Sequence, residues 1–227
     1  MGSPTPYVAP ILHGERLRVI VGISFVAFPL MLLAGFLAHP HLLSLERVTD
    51  AAAWTARFHH NFWFHAGHLL VMFSTLPIAV VGVYLIAKLD RTRSQVWGVF
   101  GGAVGLFGDF ILAVDKGSLT LPLTAFDALT EDQFATIAPA LQAILERRGA
   151  LALTYLLACL PVGFALVAVG LVRARLVPLW QGLAQIVGLL LLLNPDINPV
   201  SAAGALLLCI GYLPMGWNLL RQPAVKG

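Results

Sequence analysis

The chain has 227 residues, 59% of them hydrophobic and only 11% charged, with a formal net charge of +3. A soluble domain carries about 25% charged residues, and runs of about 20 apolar residues recur here, so the composition excludes a soluble globular domain and points to one polytopic helical membrane domain. It leaves the lipid bilayer as the expected surrounding partner and offers nothing for nucleic acid. No Walker loop, GxGxxG fingerprint or zinc-ribbon spacing occurs, and Cys159 and Cys209 both lie inside apolar runs, where they read as free thiols and not a disulfide framework.

In chain order, residues 1–15 form a proline-containing polar tail, followed by Arg16 and Arg18 and a first span at about 19–37. This run is longer than the apolar core of a cleaved signal and reads as an anchor. Pro29 near its middle is expected to kink it. A loop with His39, His41, Glu46 and Asp50 follows, with a short amphipathic lead-in over residues 51–58. The second span covers about 61–87 and ends in Lys88, Arg91 and Arg93. The third covers about 95–114 and is closed by Asp115 and Lys116, which read as an interfacial ion pair.

The connection to the fourth span is not a plain loop. Thr130 and Gln133 make a capping box, and Phe134, Ile137, Ala138, Leu141, Ile144 and Leu145 recur at helical spacing. An amphipathic interfacial helix at about 131–148 is expected, lying on headgroups or over the bundle as a lid. The fourth, fifth and sixth spans cover about 150–172, 178–194 and 200–220. The expected fold is therefore all-α, a bundle of six transmembrane helices. Lys and Arg collect before span one, between spans two and three, between four and five, and at the C-terminus. The positive-inside rule then puts both termini in the cytoplasm, in an inner or plasma membrane. Arg147 and Arg148 are the exceptions, partly offset by Glu146.

Four of the seven histidines fall in one stretch, FHHNFWFHAGH: His59, His60, His65 and His68. Asn61, His65, His68, Met72 and Thr75 share one helical face. A polar stripe on a membrane helix faces protein or water, not lipid. By the rise of a helix, His65 and His68 sit about 5 and 10 Å below the outer end of span two, and Asp109 about 8 Å below that of span three. Asp109 is a carboxylate well inside an apolar span, which marks a candidate functional site. Gly98, Gly101, Gly102, Gly105 and Gly108 line the same helix in small-residue rows, where another helix comes close. Asp109 is thus expected to face His65 or His68. Span five adds a second polar row of Gln181, Gln185 and Gly188.

Three kinds of chemistry fit this set. Imidazoles with a carboxylate suit a transition metal, with His65, His68, Asp109 and one of His39, His41, His59 or His60 as candidate ligands and Met72 as a soft donor. A b-type haem is the second, with axial ligands from His39 or His41 and from His65 or His68. The third is a proton-linked polar pathway. Against all three stands a plain aromatic belt of Trp54, Phe58, Phe62, Trp63 and Phe64, in which His59 and His60 simply meet headgroups. Histidine-box oxygenases need about eight histidines on the cytoplasmic side and do not match.

The segments GVYLIAKLDRTR, VWGVFGGAVGLFGD and RARLVPLWQGLA give the chain a layout that resembles uncharacterised six-helix bacterial integral membrane proteins. The resemblance implies the six-helix fold and topology and no mechanism. The leading functional expectation is a membrane protein with a His/Asp metal or haem site near its outer face, in a redox or metal-handling role. The alternative is a non-catalytic subunit of a larger membrane complex, a homo-oligomer, or a small-solute or proton-coupled permease.

Overall fold

The computed structural model of the protein describes residues 14–40, 42–45, 48–194 and 197–222. Among the described residues the regular structure is helical. Its elements are α1 (Glu15–Leu37), α2 (Ala51–Phe58), α3 (Phe62–Leu89), α4 (Gln95–Phe126), α5 (Glu131–Leu145), a 3-10 segment (Gly149–Ala158) running into α6 (Cys159–Arg173), α7 (Leu179–Leu191) and α8 (Asn198–Arg221). Five helical stretches are long and apolar enough to cross a membrane: α1, α3, α4, the 3-10 segment with α6, and α8. The apolar α7 is shorter, at 13 residues, or about 20 Å.

The long helices form a closed ring. α1 packs on α3, α3 on α4, α4 on α6, α6 on α7, α7 on α8, and α8 back on α1. Short connections make neighbours antiparallel, and the glycine contacts confirm it, since Gly22 meets Gly216 and Leu220 while Gly35 meets Gly67. The ring is pinched where α3 also touches α6. Phe25, Leu85, Phe164, Val167, Leu171 and Leu208 fill its centre. Outward positions are apolar too: Ile20, Phe73, Leu76, Phe100 and Phe110 are exposed. Helices that are apolar all round suit a membrane setting.

Glycine decides how closely the ring closes. A Cβ on Gly163 would lie 2.1 Å from Gly105 N and 2.5 Å from Gly101 O, so α4 and α6 touch backbone to backbone. Gly188 and Gly204 make the same kind of approach between α7 and α8. Beside them, Gln181 and Gln185 each donate to Gly211 O, at 2.7 and 2.9 Å. The polar row expected on span five is therefore a helix-packing device.

Three boundaries differ from the sequence expectation. α4 does not stop at Asp115–Lys116 but runs on to Phe126. Asp115 is 1% exposed and lies 3.3 Å from Lys116 Nζ and 3.9 Å from Arg147 Nη2. Its charge is met from two sides, so the helix has no reason to end there. The fourth expected span starts as a 3-10 segment, tied down by Arg147 Nη1 donating to Thr154 Oγ1 at 3.0 Å. The fifth ends at Leu191, not 194; Asn194 instead makes the turn, accepting from Ile197 N and donating to Ser201 Oγ.

The lead-in helix and the amphipathic helix both form. α2 is capped by Asp50, which accepts from Ala53 N at 2.8 Å, and the Gln133 side chain accepts from Thr130 N at the start of α5. The two helices pack together through Ala51, Phe58, Phe134 and Leu141, with Phe64 of α3 and Leu123 of α4 beneath them. They form a cap over one end of the ring.

The glycine contacts lead to a direct test. Gly163→Val should destabilise the bundle by about 3 kcal/mol or more, because the clash is with backbone and cannot relax by rotamer change. Gly117→Ala, whose new methyl would sit 3.7 Å from Met72 Sδ, should be neutral or stabilising by about 0.5 kcal/mol. Thermal unfolding in detergent reads both, and equal midpoints would contradict the close α4–α6 contact.

Candidate functional site

The capped end of the ring gathers the histidines. α1 delivers His39 at its C-terminal end, the α2–α3 turn delivers His59 and His60, and the first turns of α3 deliver His65 and His68. His41 and His13 lie outside the described residues. Two separate groups result.

The first group centres on Asp127, at the C-terminal end of α4. Ligand atoms of His59, His60 and Asp127 all lie within 4.8 Å of one another. The His59 and His60 rings are 4.0 Å apart, and His59 also rests against Phe134 of α5 at 4.4 Å. His60 has φ of +52°, in the left-handed region, which costs a non-glycine residue about 1 kcal/mol or more. The turn is held by His60 N donating to Asp127 Oδ1 at 2.9 Å and by Asn61 N donating to Phe58 O at 3.0 Å. The other Asp127 oxygen lies 3.0 Å from His65 Nε2. That contact is out of line with the ring N–H direction, so both His65 nitrogens are buried without a hydrogen bond, as is His59 Nε2.

The second group is His39 and His68, whose rings are 4.5 Å apart, with His68 also 4.2 Å from the Phe64 ring. His68 Nδ1 donates to Phe64 O at 2.9 Å, which leaves Nε2 as the lone-pair nitrogen.

The remaining expected residues fall elsewhere. Asp109 is buried in α4 with Oδ1 unpartnered. Gly108 beside it abuts Leu160 N, at the junction of α4 with the 3-10 segment and α6. Among the described residues no ion pair or hydrogen bond joins Asp109 to His65 or His68. Met72 packs its sulfur toward Gly117 of α4. Asn61 is not part of a lining stripe but caps α3, accepting from Phe64 N at 3.2 Å. Thus His60 and His65 meet a carboxylate, and it is Asp127.

Sequence reasoning missed Asp127 and treated His59 and His60 alike, as belt residues or as one of several possible further ligands. The available signal was topological: the α2–α3 turn and the end of α4 lie at the same end of adjacent antiparallel helices. It was hidden because the third span was ended at about 114, whereas α4 runs on to Phe126.

A cleft of about 660 Å3 opens beside this group. Its mouth is His60, His65, Thr124 and Asp127, and its wall is Phe62, Ala66, Leu69, Leu70 and Phe73 of α3. The two helices of the cap are tied to each other by the Gln142 side chain. Gln142 of α5 accepts from Ala51 N at 2.8 Å and donates to Thr49 O at 3.2 Å. It also donates to Glu146 at 2.8 Å. That bond, with a second from Arg148, holds the Glu146 carboxyl below the usual glutamate range.

Gln142→Ala should loosen the cap without opening the ring. Losing the bond to Ala51 N is worth about 1 kcal/mol. Hydrogen exchange over residues 51–58 and 131–145 should speed up severalfold, with residues 78–89 and 163–171 unchanged. Uniform protection across all four segments would show that Gln142 does not tie the cap. No family model, curated protein or solved structure matches this chain, so its functional reading rests on the residues described above.

Proposed function

We propose that the protein is a six-span membrane protein that holds a divalent transition metal at its histidine end, with His59, His60 and Asp127 as donors and His65 beside them. The observation that carries this is the meeting of the three donor atoms within 4.8 Å, under a cap, with buried imidazole nitrogens that have no hydrogen bond. Buried polar atoms are normally satisfied, and an ion held by this set would satisfy His59 Nε2. Donors around an ion at about 2.1 Å stand about 3.4 Å apart, so the set closes by side-chain rotation. Two imidazoles and a carboxylate suit zinc or iron(II).

Three protein donors leave coordination positions open, as in reactive rather than structural sites. The tetrapyrrole reading has less support. An iron between His39 and His68 would hold their nitrogens about 4 Å apart and their ring centres further, whereas the centres lie at 4.5 Å with the rings tilted by 46°. A permease would need a path between the helices, and large apolar side chains fill the centre of the ring.

In the proposed orientation the opposite end of the ring, with Arg16, Arg18, Lys88, Arg91, Arg93, Arg173, Arg175 and Arg221, faces the cytoplasm. The two exceptions are explained by their partners: Arg147 lies against Asp115, and Arg148 pairs with Glu146. The histidine end then lies at the outer face of a cell membrane. The short α7 is taken as the fifth crossing, since it packs on both α6 and α8.

The centre is tested by elemental analysis and a visible spectrum of the purified protein. About one metal per chain and no Soret band are expected. His59→Ala and Asp127→Ala should each weaken binding more than tenfold, and His68→Ala should leave it intact. Loss in His68→Ala with retention in the other two would move the site to the His39–His68 pair, and a Soret band would replace the metal with a haem. For orientation, both native cysteines are first replaced by alanine. Ala128→Cys should then react with an impermeant thiol reagent from outside, and Thr92→Cys should not; the reverse pattern would invert the topology.

A further inference from the structure

The cleft beside the proposed metal centre has two kinds of wall. At its mouth stand His60 and Asp127, two of the three donors, with His65 and Thr124. Below them Ala66, Leu69, Leu70 and Phe73 follow one strip of α3 along its length. The strip joins the lipid-facing surface, because Phe62 at its top is 71% exposed and Phe73 at its foot is 52% exposed. An access route for a water-soluble ligand would be polar along its length; this one is polar only at the end where the donors are.

Charge selects the head of the ligand. A divalent ion with one carboxylate donor and neutral imidazoles leaves a net charge of +1 at the mouth, which attracts an anionic oxygen donor. His65 is 93% buried, lines the mouth and holds its Nε2 3.0 Å from Asp127 Oδ2, beside the donor set. The groove is shallow and open to the side, with a volume of about 660 Å3.

Resting on the metal reading above, we propose that the cleft takes a single-chain amphiphile with a carboxylate head, drawn sideways from the bilayer. The carboxylate occupies an open coordination position beside His60 and Asp127. Its tail lies along Ala66, Leu69, Leu70 and Phe73. The substrate class of the centre is thus a membrane-borne fatty acid and not a soluble metabolite.

The test uses the full chain in nanodiscs of phosphatidylcholine, with metal content measured first. A palmitate carrying a diazirine on its chain is added, irradiated, and its adducts are mapped by mass spectrometry. With metal bound, adducts on residues 66–73 should exceed those on the outward α4 positions Val99, Phe100 and Phe110 at least fivefold. A chelator should abolish the excess, and so should Ala66→Trp or, if that variant fails to fold, Leu70→Trp. Even labelling of α3 and α4 in the metal-loaded protein would overturn the fatty-acid proposal and leave the metal centre standing. So would an excess that survives the chelator, since the head would not then be held by the ion. A folded protein that binds no metal would remove the centre and this proposal together.

Discussion

A carboxylate sits near the middle of the longest helix, and the capped end of the molecule depends on how its charge is met. Asp115 is 1% exposed and is approached by Lys116 and by Arg147, which arrives from the connection after α5. Removing one partner from a buried pair is expensive, about 3–5 kcal/mol, because the other charge is left uncompensated. Met from both sides, the charge lets α4 continue for 11 residues past Asp115, to Phe126. The same Arg147 donates to Thr154 and lies over the Tyr155 ring at 5.2 Å. Arg147 thus links α4, the 3-10 segment and the connection after α5.

The extension of α4 has a chemical consequence. It lifts Asp127 to the level of the α2–α3 turn, where one oxygen accepts from the His60 backbone and the other lies beside His65. The left-handed backbone of His60 is held by this bond. The cost of that conformation and the lack of hydrogen bonds on His65 fall at one place, and strain with unsatisfied polar atoms concentrates where function is. Below this level, buried atoms without a hydrogen bond also occur, at Asp109 Oδ1 and Gln185 Oε1. The ring's closure comes from backbone contact at glycines and from apolar filling.

The α2–α5 cap gives the site its shelter. Phe58 and Leu141 are among the most deeply buried side chains, and Phe134 touches His59 directly. An amphipathic helix that could have lain flat on headgroups is instead half of a two-helix cover, tied by Gln142. Shelter from above is combined with a cleft that opens sideways.

The sequence by itself determined the helical class, the apolar spans, the cap helices and the end of the molecule where the histidines collect. These follow from period, composition and capping residues, which act over a few turns of chain. It also expected a carboxylate, Asp109, to face His65 or His68, and the structure puts Asp127 beside His65. Only the tertiary structure decided which carboxylate. Asp109 looked right because depth along a straight helix can be counted from sequence, but the direction a side chain faces depends on which neighbour its helix packs against, and Gly108 turns that face of α4 toward α6. Asp127 looked like an ordinary loop acid because the stop at Asp115 was judged from local charge alone. Its neutralisation by Arg147 comes from 32 residues away, and no local pattern carries that information.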